Sequence, residues 1–256
     1  MMSNLASLAE IVDTAAFTAR EIPQLSETVA LDVADAYAVQ ALSVARRHAR
    51  GERLVGYKMG LTSRAKMQQV GVSEVIWGRL TDAMRVEEGG RVSMGRYVHP
   101  RVEPEIAFLM KAPLAGEVSA AEALAAVGAV APALEIIDSR YKDFKFSLPD
   151  VIADNSSSSG FVLGGWHPPA IDFGNLGIIL EADGRPVQIG SSAAILGHPL
   201  RSLVAAARLV AAGGGHIEAG TIILAGGATA AHPLVAGMAV KCHFEGLGSV
   251  GFGVDA

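Results

Sequence analysis

The first fifty residues carry apolar side chains at helical spacing. Leu5, Leu8 and Ile11 predict one helix, and the alanine-rich segment 32–50 predicts a second. Arginines crowd the end of the second segment, where cations interact favourably with the helix dipole, and Gly51 suits a helix end. We therefore expect the chain to begin with a mainly helical part.

From Leu54 onwards the pattern changes to short apolar runs typical of strands. The predicted strands are residues 54–60, 97–110, 133–138, 160–163, 177–181, 221–224 and 239–244. A short helix is predicted from Thr62 or Ser63 to Val70, and alanine-rich helices are predicted over 119–127 and 200–212. Mostly β structure after a helical start indicates an α+β fold rather than regular βαβ repeats.

Composition and charge narrow the class of protein. The 256-residue chain is 50% hydrophobic and 18% charged, which is typical of a globular protein and excludes a disordered one. Its net charge of −5 offers no basic footprint, so nucleic acid is not expected as a partner. The single cysteine, Cys242, is expected to be a buried thiol rather than a nucleophile. No export signal is recognised at the start, which favours a cytoplasmic location.

Two C-terminal segments resemble motifs that their context does not support. Residues 219–240 contain no charged side chain and are long enough to cross a bilayer. Glycines and a His-Pro pair interrupt them, so we expect buried strands around a turn and no membrane partner. Residues 246–251 match the Gly-x-Gly-x-x-Gly pattern of dinucleotide sites. Too few residues follow for the helix on which that motif depends, so turn glycines are expected.

Three glutamates within apolar strands indicate a metal site. Glu103 and Glu105 share one face of a predicted strand, where like charges repel and burial makes the repulsion costly. Glu135 lies inside another apolar strand, where an ionised carboxylate is rarely found without a partner. Three carboxylates suit Mg²⁺ or Mn²⁺ better than Zn²⁺. The alternative, in which Glu103 and Glu105 are exposed and Glu135 pairs with an arginine such as Arg140, stays open.

Two further features could meet an anionic substrate. Lys58 lies in a predicted strand between Gly56 and Gly60, although a strand lysine can also face solvent. The serine-rich segment 154–160 is either a flexible loop or a cradle of hydroxyl and amide donors for a carboxylate. It lacks the Gly-x-Ser-x-Gly elbow, which argues against a serine hydrolase.

Taken in order, these segments resemble one family. Residues 56–63, the strand with Glu103 and Glu105, residues 135–141 and the serine-rich segment are similar to the 2-oxopent-4-enoate hydratase and 4-oxalocrotonate decarboxylase family, within the fumarylacetoacetate hydrolase-like superfamily. The resemblance extends from about residue 30 to the C-terminus. Residues 76–84 and 139–146 resemble the decarboxylase branch of the family.

The resemblance implies a fold and a cofactor. The fold is a fumarylacetoacetase C-terminal-like mixed β fold, with a smaller, mainly helical N-terminal α/β part over residues 1–75 and a β-rich catalytic domain over 76–256. The cofactor is Mg²⁺ or Mn²⁺, held by Glu103, Glu105 and Glu135.

The resemblance also implies an activity. We expect decarboxylation of 2-oxo-3-hexenedioate (4-oxalocrotonate) to 2-hydroxypenta-2,4-dienoate and CO₂ in aromatic meta-cleavage catabolism, with hydration of that dienoate as the alternative. Catalytic roles fall to Lys58 and Asp82, and substrate contacts to Lys58, Leu61, Asn155 and Ser158. A complex with the 2-oxopent-4-enoate hydratase of the pathway is the implied partnership. A 1,3-diketone hydrolase and a catalytically idle partner subunit are further alternatives.

Overall fold

The secondary structure is taken from a computed structural model that describes residues 2–63, 67 and 74–256. The α-helices are α1 (Met2–Thr18), α2 (Val33–Ala49), α3 (Ala120–Ala126), α4 (Leu148–Ala153) and α5 (Pro199–Ala212). The strands are β1 (Leu54–Gly60), β2 (Ile76–Thr81), β3 (Arg85–Val86), β4 (Arg91–Ser93), β5 (Arg101–Met110), β6 (Val127–Ile137), β7 (Ser158–Leu163), β8 (Gly177–Ala182), β9 (Arg185–Ser191), β10 (Ile222–Leu224), β11 (His232–Pro233), β12 (Ala239–Phe244) and β13 (Gly248–Asp255). The helix predicted from Thr62 or Ser63 to Val70 lies mostly outside the described residues.

Two sheets form the centre of the described chain. The eight-stranded sheet has the order β2-β1-β10-β5-β6-β7-β3, with β11 paired to β5, and the five-stranded sheet has the order β4-β13-β12-β8-β9. The β1–β10 and β3–β7 pairs are parallel, whereas β5 and β6 form a long antiparallel pair. Mixed sheets that pack with helices confirm the predicted α+β fold.

The main apolar core joins the two sheets. Ile106 and Phe108 of β5 belong to one buried cluster with Cys242 of β12 and Phe252 of β13. Leu203 on the inner face of α5 belongs to the same cluster. Burial raises the pKa of the Cys242 thiol to about 12, as expected for a structural cysteine. The opposite face of β5 is left for the charged residues described below.

The N-terminal helices cover a second cluster on the large sheet. Leu8 and Val12 of α1 pack with Val39 of α2, and Ile76 of β2 joins them. The strand β1 lies between β2 and β10 in the large sheet, so the predicted boundary at residue 75 cuts through that sheet. The parallel partner of β1 is more than 150 residues away along the chain, which no local pattern reveals.

Both C-terminal segments with misleading motifs are strands and turns. Residues 219–240 contain β10 and β11, and residues 246–251 form a turn that leads into β13, which pairs with β12. Positive φ angles of 71° at Gly246 and 85° at Gly248 explain the glycines of that turn. By length and composition the segment Ser192–Ala212 could cross a membrane, a test that the core helices of soluble proteins also pass.

Candidate metal centre and substrate pocket

Strand register brings the three predicted glutamates together. Glu103 of β5 lies directly opposite Glu135 of β6, and Glu105 shares their face two residues further along β5. One carboxylate oxygen of each residue lies within 4.8 Å of the others. Glu105 and Glu135 are fully buried, and Glu103 is 5% exposed. The structure therefore confirms the predicted cluster and excludes an exposed position for Glu103 and Glu105.

Lys58 faces the same cluster because of the sheet pairing. It aligns with Leu224 of β10, which lies opposite Ala107 of β5, and paired residues point to the same face of a sheet. Three strand spacings, about 14 Å in a flat sheet, separate β1 from β6. The Lys58 Nζ nevertheless lies 3.0 Å from Glu135 Oε2, so the sheet must curl around the cluster. Lys58 is 3% exposed, which rules out a solvent-facing lysine.

The carboxylates of the cluster are poorly compensated. Burial raises the pKa of Glu105 well above its usual value, and the charges of Glu135 and Glu103 raise it further. Burial also raises the pKa of Glu135, although the Lys58 ammonium acts in the opposite direction. With all four groups ionised, three carboxylates against one ammonium would leave two negative charges in a buried site. Such a site requires either protons or a cation.

A divalent, oxygen-binding cation fits this cluster. Glu105 Oε1 and Glu135 Oε1 are buried and accept no hydrogen bond from any described residue. These oxygens, together with a carboxylate oxygen of Glu103, offer the hard ligands that Mg²⁺ and Mn²⁺ prefer. Its two positive charges would balance the cluster, and the all-carboxylate donor set argues against Zn²⁺.

A glycine holds one of these carboxylates in place. The backbone N–H of Gly226 donates a hydrogen bond of 2.5 Å to Glu105 Oε2. Gly226 has a φ of +109°, and a Cβ there would collide with the side chain of Thr62. Only glycine adopts this φ readily and leaves room for the Thr62 side chain. This explains the first glycine of the Gly226-Gly227 pair, which the sequence pattern alone did not.

A cavity of about 1170 Å³ opens beside the cluster. Lys58, Leu61 and Glu103 line it, which agrees with the predicted positions of Lys58 and Leu61. Ser156 and Ser157 line it as well, and the backbone carbonyl of Ser156 accepts a hydrogen bond of 3.0 Å from Lys58 Nζ. The ammonium of Lys58 is thus held between a carboxylate and a carbonyl at the edge of the cavity.

The serine-rich loop presents different side chains to the cavity from those that were predicted. Asn155, Ser156 and Ser157 have consecutive positive φ angles of 50°, 53° and 60°. The Asn155 amide donates to the carbonyl of Arg79 and accepts from its N–H, at 2.9 and 2.8 Å, as a strand partner would. Asn155 therefore ties the loop to β2, and it does not line the cavity.

Ser158 and Asp82 are also placed away from the cavity. The Ser158 hydroxyl points at the sulfur of Met84, 3.9 Å away, and Ser158 is not among the residues that line the cavity. Asp82 is exposed, and its Oδ1 accepts the backbone N–H of Arg53 at 2.9 Å. The structure does not bring Asp82 to the cluster, because a turn after β2 directs it outward.

A buried ion pair holds the start of the serine-rich loop in place. Arg140 donates to Asp154 Oδ1 at 2.5 Å and to the Asp154 carbonyl at 2.8 Å, and it is 2% exposed. Burial raises the pKa of Asp154 to about 6, while Arg140 lowers it. The alternative in which Arg140 pairs with Glu135 is wrong, since Lys58 has that role.

Sequence reasoning missed two residues that line the cavity. Arg101 and Phe144 both line it, and the guanidinium carbon of Arg101 lies 4.1 Å from the centroid of the Phe144 ring. Arg101 precedes Glu103 by two positions on β5, so strand alternation could have placed it on the metal-binding face.

Comparison with known proteins agrees with this geometry. The family described as fumarylacetoacetate (FAA) hydrolase C-terminal matches residues 56–255. A 4-oxalocrotonate decarboxylase from a Pseudomonas species is 58% identical over 248 residues, 97% of each chain. A 2-keto-4-pentenoate hydratase from Paraburkholderia xenovorans strain LB400 is 40% identical over 226 residues, 86% of this chain and 83% of the relative. The solved 4-oxalocrotonate decarboxylase from Pseudomonas putida G7, complexed with magnesium and adipate, matches with a TM-score of 0.96 and 41% identity, covering 99% of this chain and 98% of that one.

Proposed function

This chain belongs to the fumarylacetoacetate hydrolase family, and within it we propose that the chain is a 4-oxalocrotonate decarboxylase, a metal-dependent carboxy-lyase. The observation that carries the proposal is the buried Glu103, Glu105 and Glu135 cluster, which faces Lys58 beside a large cavity. The 58% identity to a decarboxylase, against 40% to a hydratase, favours decarboxylation over hydration.

The three glutamates hold Mg²⁺. The ion, when bound, supplies a Lewis acid that polarises the C2 ketone of the substrate and stabilises negative charge on the C2 oxygen. The strands β5 and β6 keep the carboxylates in place before the ion binds, since Glu103 and Glu135 are fixed by direct register. Such preorganisation avoids the cost of rearranging charged groups during the reaction.

Lys58 binds the substrate at its 2-oxo acid end. Loss of CO₂ breaks the C5–C6 bond, and its electron pair moves through C4 and C3 to the C2 oxygen, which is then protonated to the dienol. The Lys58 ammonium faces the same cluster and donates to the C1 carboxylate or to the C2 oxygen as charge grows there. Ser156 keeps Lys58 in this direction through its carbonyl, and Ser156 and Ser157 line the cavity nearby.

Part of the cavity lining is apolar, with Leu61, Ile76, Leu148 and Val151 beside the charged residues. Decarboxylation needs no water as a reactant, whereas hydration needs one positioned beside a base. The hydratase is therefore the outcome to exclude by experiment.

The test uses the EDTA-treated protein and 4-oxalocrotonate, with and without added Mg²⁺. Loss of ultraviolet absorbance and release of CO₂ are followed together. We expect CO₂ release only with Mg²⁺, and a Glu105→Gln variant is expected to be inactive at the same Mg²⁺ concentration. Consumption of 2-hydroxypenta-2,4-dienoate without any CO₂ release from 4-oxalocrotonate would assign the hydratase instead, and no reaction with either substrate would contradict both.

We further propose that the enzyme acts in the cytoplasm, in aromatic meta-cleavage catabolism, and associates with the 2-oxopent-4-enoate hydratase of that pathway. The dienol product tautomerises readily, which is a chemical reason to transfer it directly to the next enzyme. Co-elution of the two purified proteins from a size-exclusion column would support the complex. Separate elution at micromolar concentrations would contradict a stable one.

A further inference from the structure

We propose that Arg101 binds the distal carboxylate of the substrate and so selects 2-oxo dicarboxylates over 2-oxo monocarboxylates. The inference rests on the proposed function, because it concerns the far end of the same cavity. It identifies the group that would distinguish a six-carbon diacid from the shorter, singly charged substrate of a hydratase.

The position of Arg101 on β5 matches the length of such a substrate. Arg101 and Glu103 are two residues apart on the same face of β5, about 7 Å along the strand, and both line the cavity. The carboxylate carbons of a six-carbon diacid are roughly 6 Å apart when the chain is extended, from bonds of about 1.5 Å. A substrate with its 2-oxo acid end at the glutamate cluster can therefore reach Arg101 with its other end.

The N–H donors of the Arg101 guanidinium are available to a ligand. It is half-buried, and no described residue accepts a hydrogen bond from it or forms an ion pair with it. Phe144 covers one face of the guanidinium, at 4.1 Å, and leaves the N–H groups in its plane for a ligand. A planar fork of donors matches the two oxygens of a carboxylate, which makes arginine well suited to this role.

The turn that carries Phe144 holds its ring against the guanidinium of Arg101. Asp143 and Phe144 both have a φ of 57°, a left-handed conformation that is rare for residues other than glycine. Phe146 packs against Phe144 with ring centroids 5.7 Å apart and stabilises this arrangement. Left-handed residues of this kind persist where surrounding contacts require them, and they are common at ligand sites.

The other charged groups that line the cavity do not replace Arg101. Lys58 is engaged by Glu135, and Lys145 lies 4.0 Å from Asp143 with a side chain that is 75% exposed. Among the described residues lining the cavity, Arg101 is thus the cation with no carboxylate partner. An exposed, flexible lysine gains little from an ion pair, so Lys145 is a natural control.

The reaction removes the group that Arg101 binds. When the C5–C6 bond breaks, the C6 carboxylate departs as neutral CO₂, and the dienol product keeps only the carboxylate at C1. Arg101 therefore binds the substrate and not the product. Because this interaction is strongest before the reaction, its loss is expected to raise KM without lowering kcat.

The test measures binding of two unreactive ligands to the Mg²⁺-loaded enzyme by calorimetry. 2-Oxoadipate carries a distal carboxylate, and 2-oxohexanoate carries a methyl group in its place. We expect the wild type to prefer 2-oxoadipate by about 10- to 100-fold, the range for one charge-assisted pair. Arg101→Gln should bring the two affinities to within about threefold without weakening 2-oxohexanoate, whereas Lys145→Gln should keep the preference.

Arg101→Lys is a second variant, which tests the proposal if Arg101→Gln fails to fold. It keeps the charge without the planar fork, so an intermediate preference is expected. A preference retained in Arg101→Gln, an equal loss of both ligands, or the same loss in Lys145→Gln would each overturn the assignment. Failure of the wild type to bind either oxo acid with Mg²⁺ would instead contradict the proposed function, and with it the basis of this inference.

Discussion

Replacing Lys58 with methionine isolates the role of the single ammonium among the three buried carboxylates. Methionine keeps the length and apolar stem of the side chain but removes the charge 3.0 Å from Glu135 and the hydrogen bond to the Ser156 carbonyl. The EDTA-treated variant is left with buried carboxylates and no cation. We expect it to lose stability, to keep Mg²⁺ binding and to lose activity.

The magnitude follows from the geometry of the pair. At 3.0 Å and an effective dielectric constant of about 20, the attraction between Lys58 and Glu135 is about 5 kcal/mol before desolvation is counted. Breaking a buried pair by removing one partner costs about 3–5 kcal/mol in measured cases. For a chain of this size that loss lowers Tm by roughly 6–20 °C. Saturating Mg²⁺ should reduce the difference from the wild type, because it supplies the missing positive charge.

The assay combines thermal unfolding with and without Mg²⁺, a calorimetric Mg²⁺ titration and CO₂ release from 4-oxalocrotonate. Lys145→Met is the matched control, since that side chain is 75% exposed and is expected to change stability by less than about 0.5 kcal/mol. A metal-free Lys58→Met protein as stable as the control would refute the electrostatic reasoning. Full activity in the variant would remove Lys58 from the site.

Four further predictions concern the same centre and the core. Glu105→Gln should weaken Mg²⁺ binding by at least about 100-fold, measured by calorimetry, yet raise the Tm of the metal-free protein, since it removes a buried charge that its neighbours repel. Because the pKa of Glu105 is raised in the folded state, the folded protein binds a proton more tightly than the unfolded chain. The stability of metal-free wild type should therefore fall as pH rises above about 4.5, a dependence that Glu105→Gln should reduce in urea titrations at several pH values. Gly226→Ala should lower the free energy of unfolding by roughly 2 kcal/mol or more and weaken Mg²⁺ binding. The added Cβ would collide with Thr62 and displace the backbone N–H that donates a hydrogen bond to Glu105. Unchanged unfolding and unchanged Mg²⁺ binding would contradict this expectation. Cys242, fully buried with a pKa raised to about 12, should react with an aromatic disulfide reagent only after unfolding, and fast labelling of the native protein would disprove its burial.

Much of the metal centre could be predicted from local pattern. The alternation of a strand requires Glu103 and Glu105 to share a face, whatever the partner strands are. An apolar setting for Glu135 similarly predicts burial, which the structure confirms. Residue type then selects the metal, because carboxylate oxygens prefer Mg²⁺ and Mn²⁺. These inferences succeeded because they depend on neighbours within a few residues.

The serine-rich loop shows where local reasoning fails. Its sequence predicts hydrogen-bond donors, but consecutive left-handed residues turn Asn155 towards β2. The Ser156 hydroxyl also donates to the Trp77 carbonyl of β2 at 2.8 Å, although Ser156 and Ser157 line the cavity. Several neighbouring hydroxyls and an amide are equivalent in a sequence pattern. Their directions depend on backbone angles that the surrounding strands impose.

The sequence by itself determined which chemical groups are present and which face of each strand carries them. It placed Glu103 and Glu105 on one face of β5, Glu135 within the apolar β6 and a lysine within β1, but left open whether Glu103 and Glu105 are exposed. Only the tertiary structure decided that Lys58 meets Glu135, because that contact depends on the curvature of a sheet whose strands are distant in the chain. The same is true of Arg101 above Phe144 and of Gly226 beside Glu105. Periodicity is a local property of the backbone, whereas these contacts depend on long-range strand pairing and on left-handed turns that no short pattern encodes.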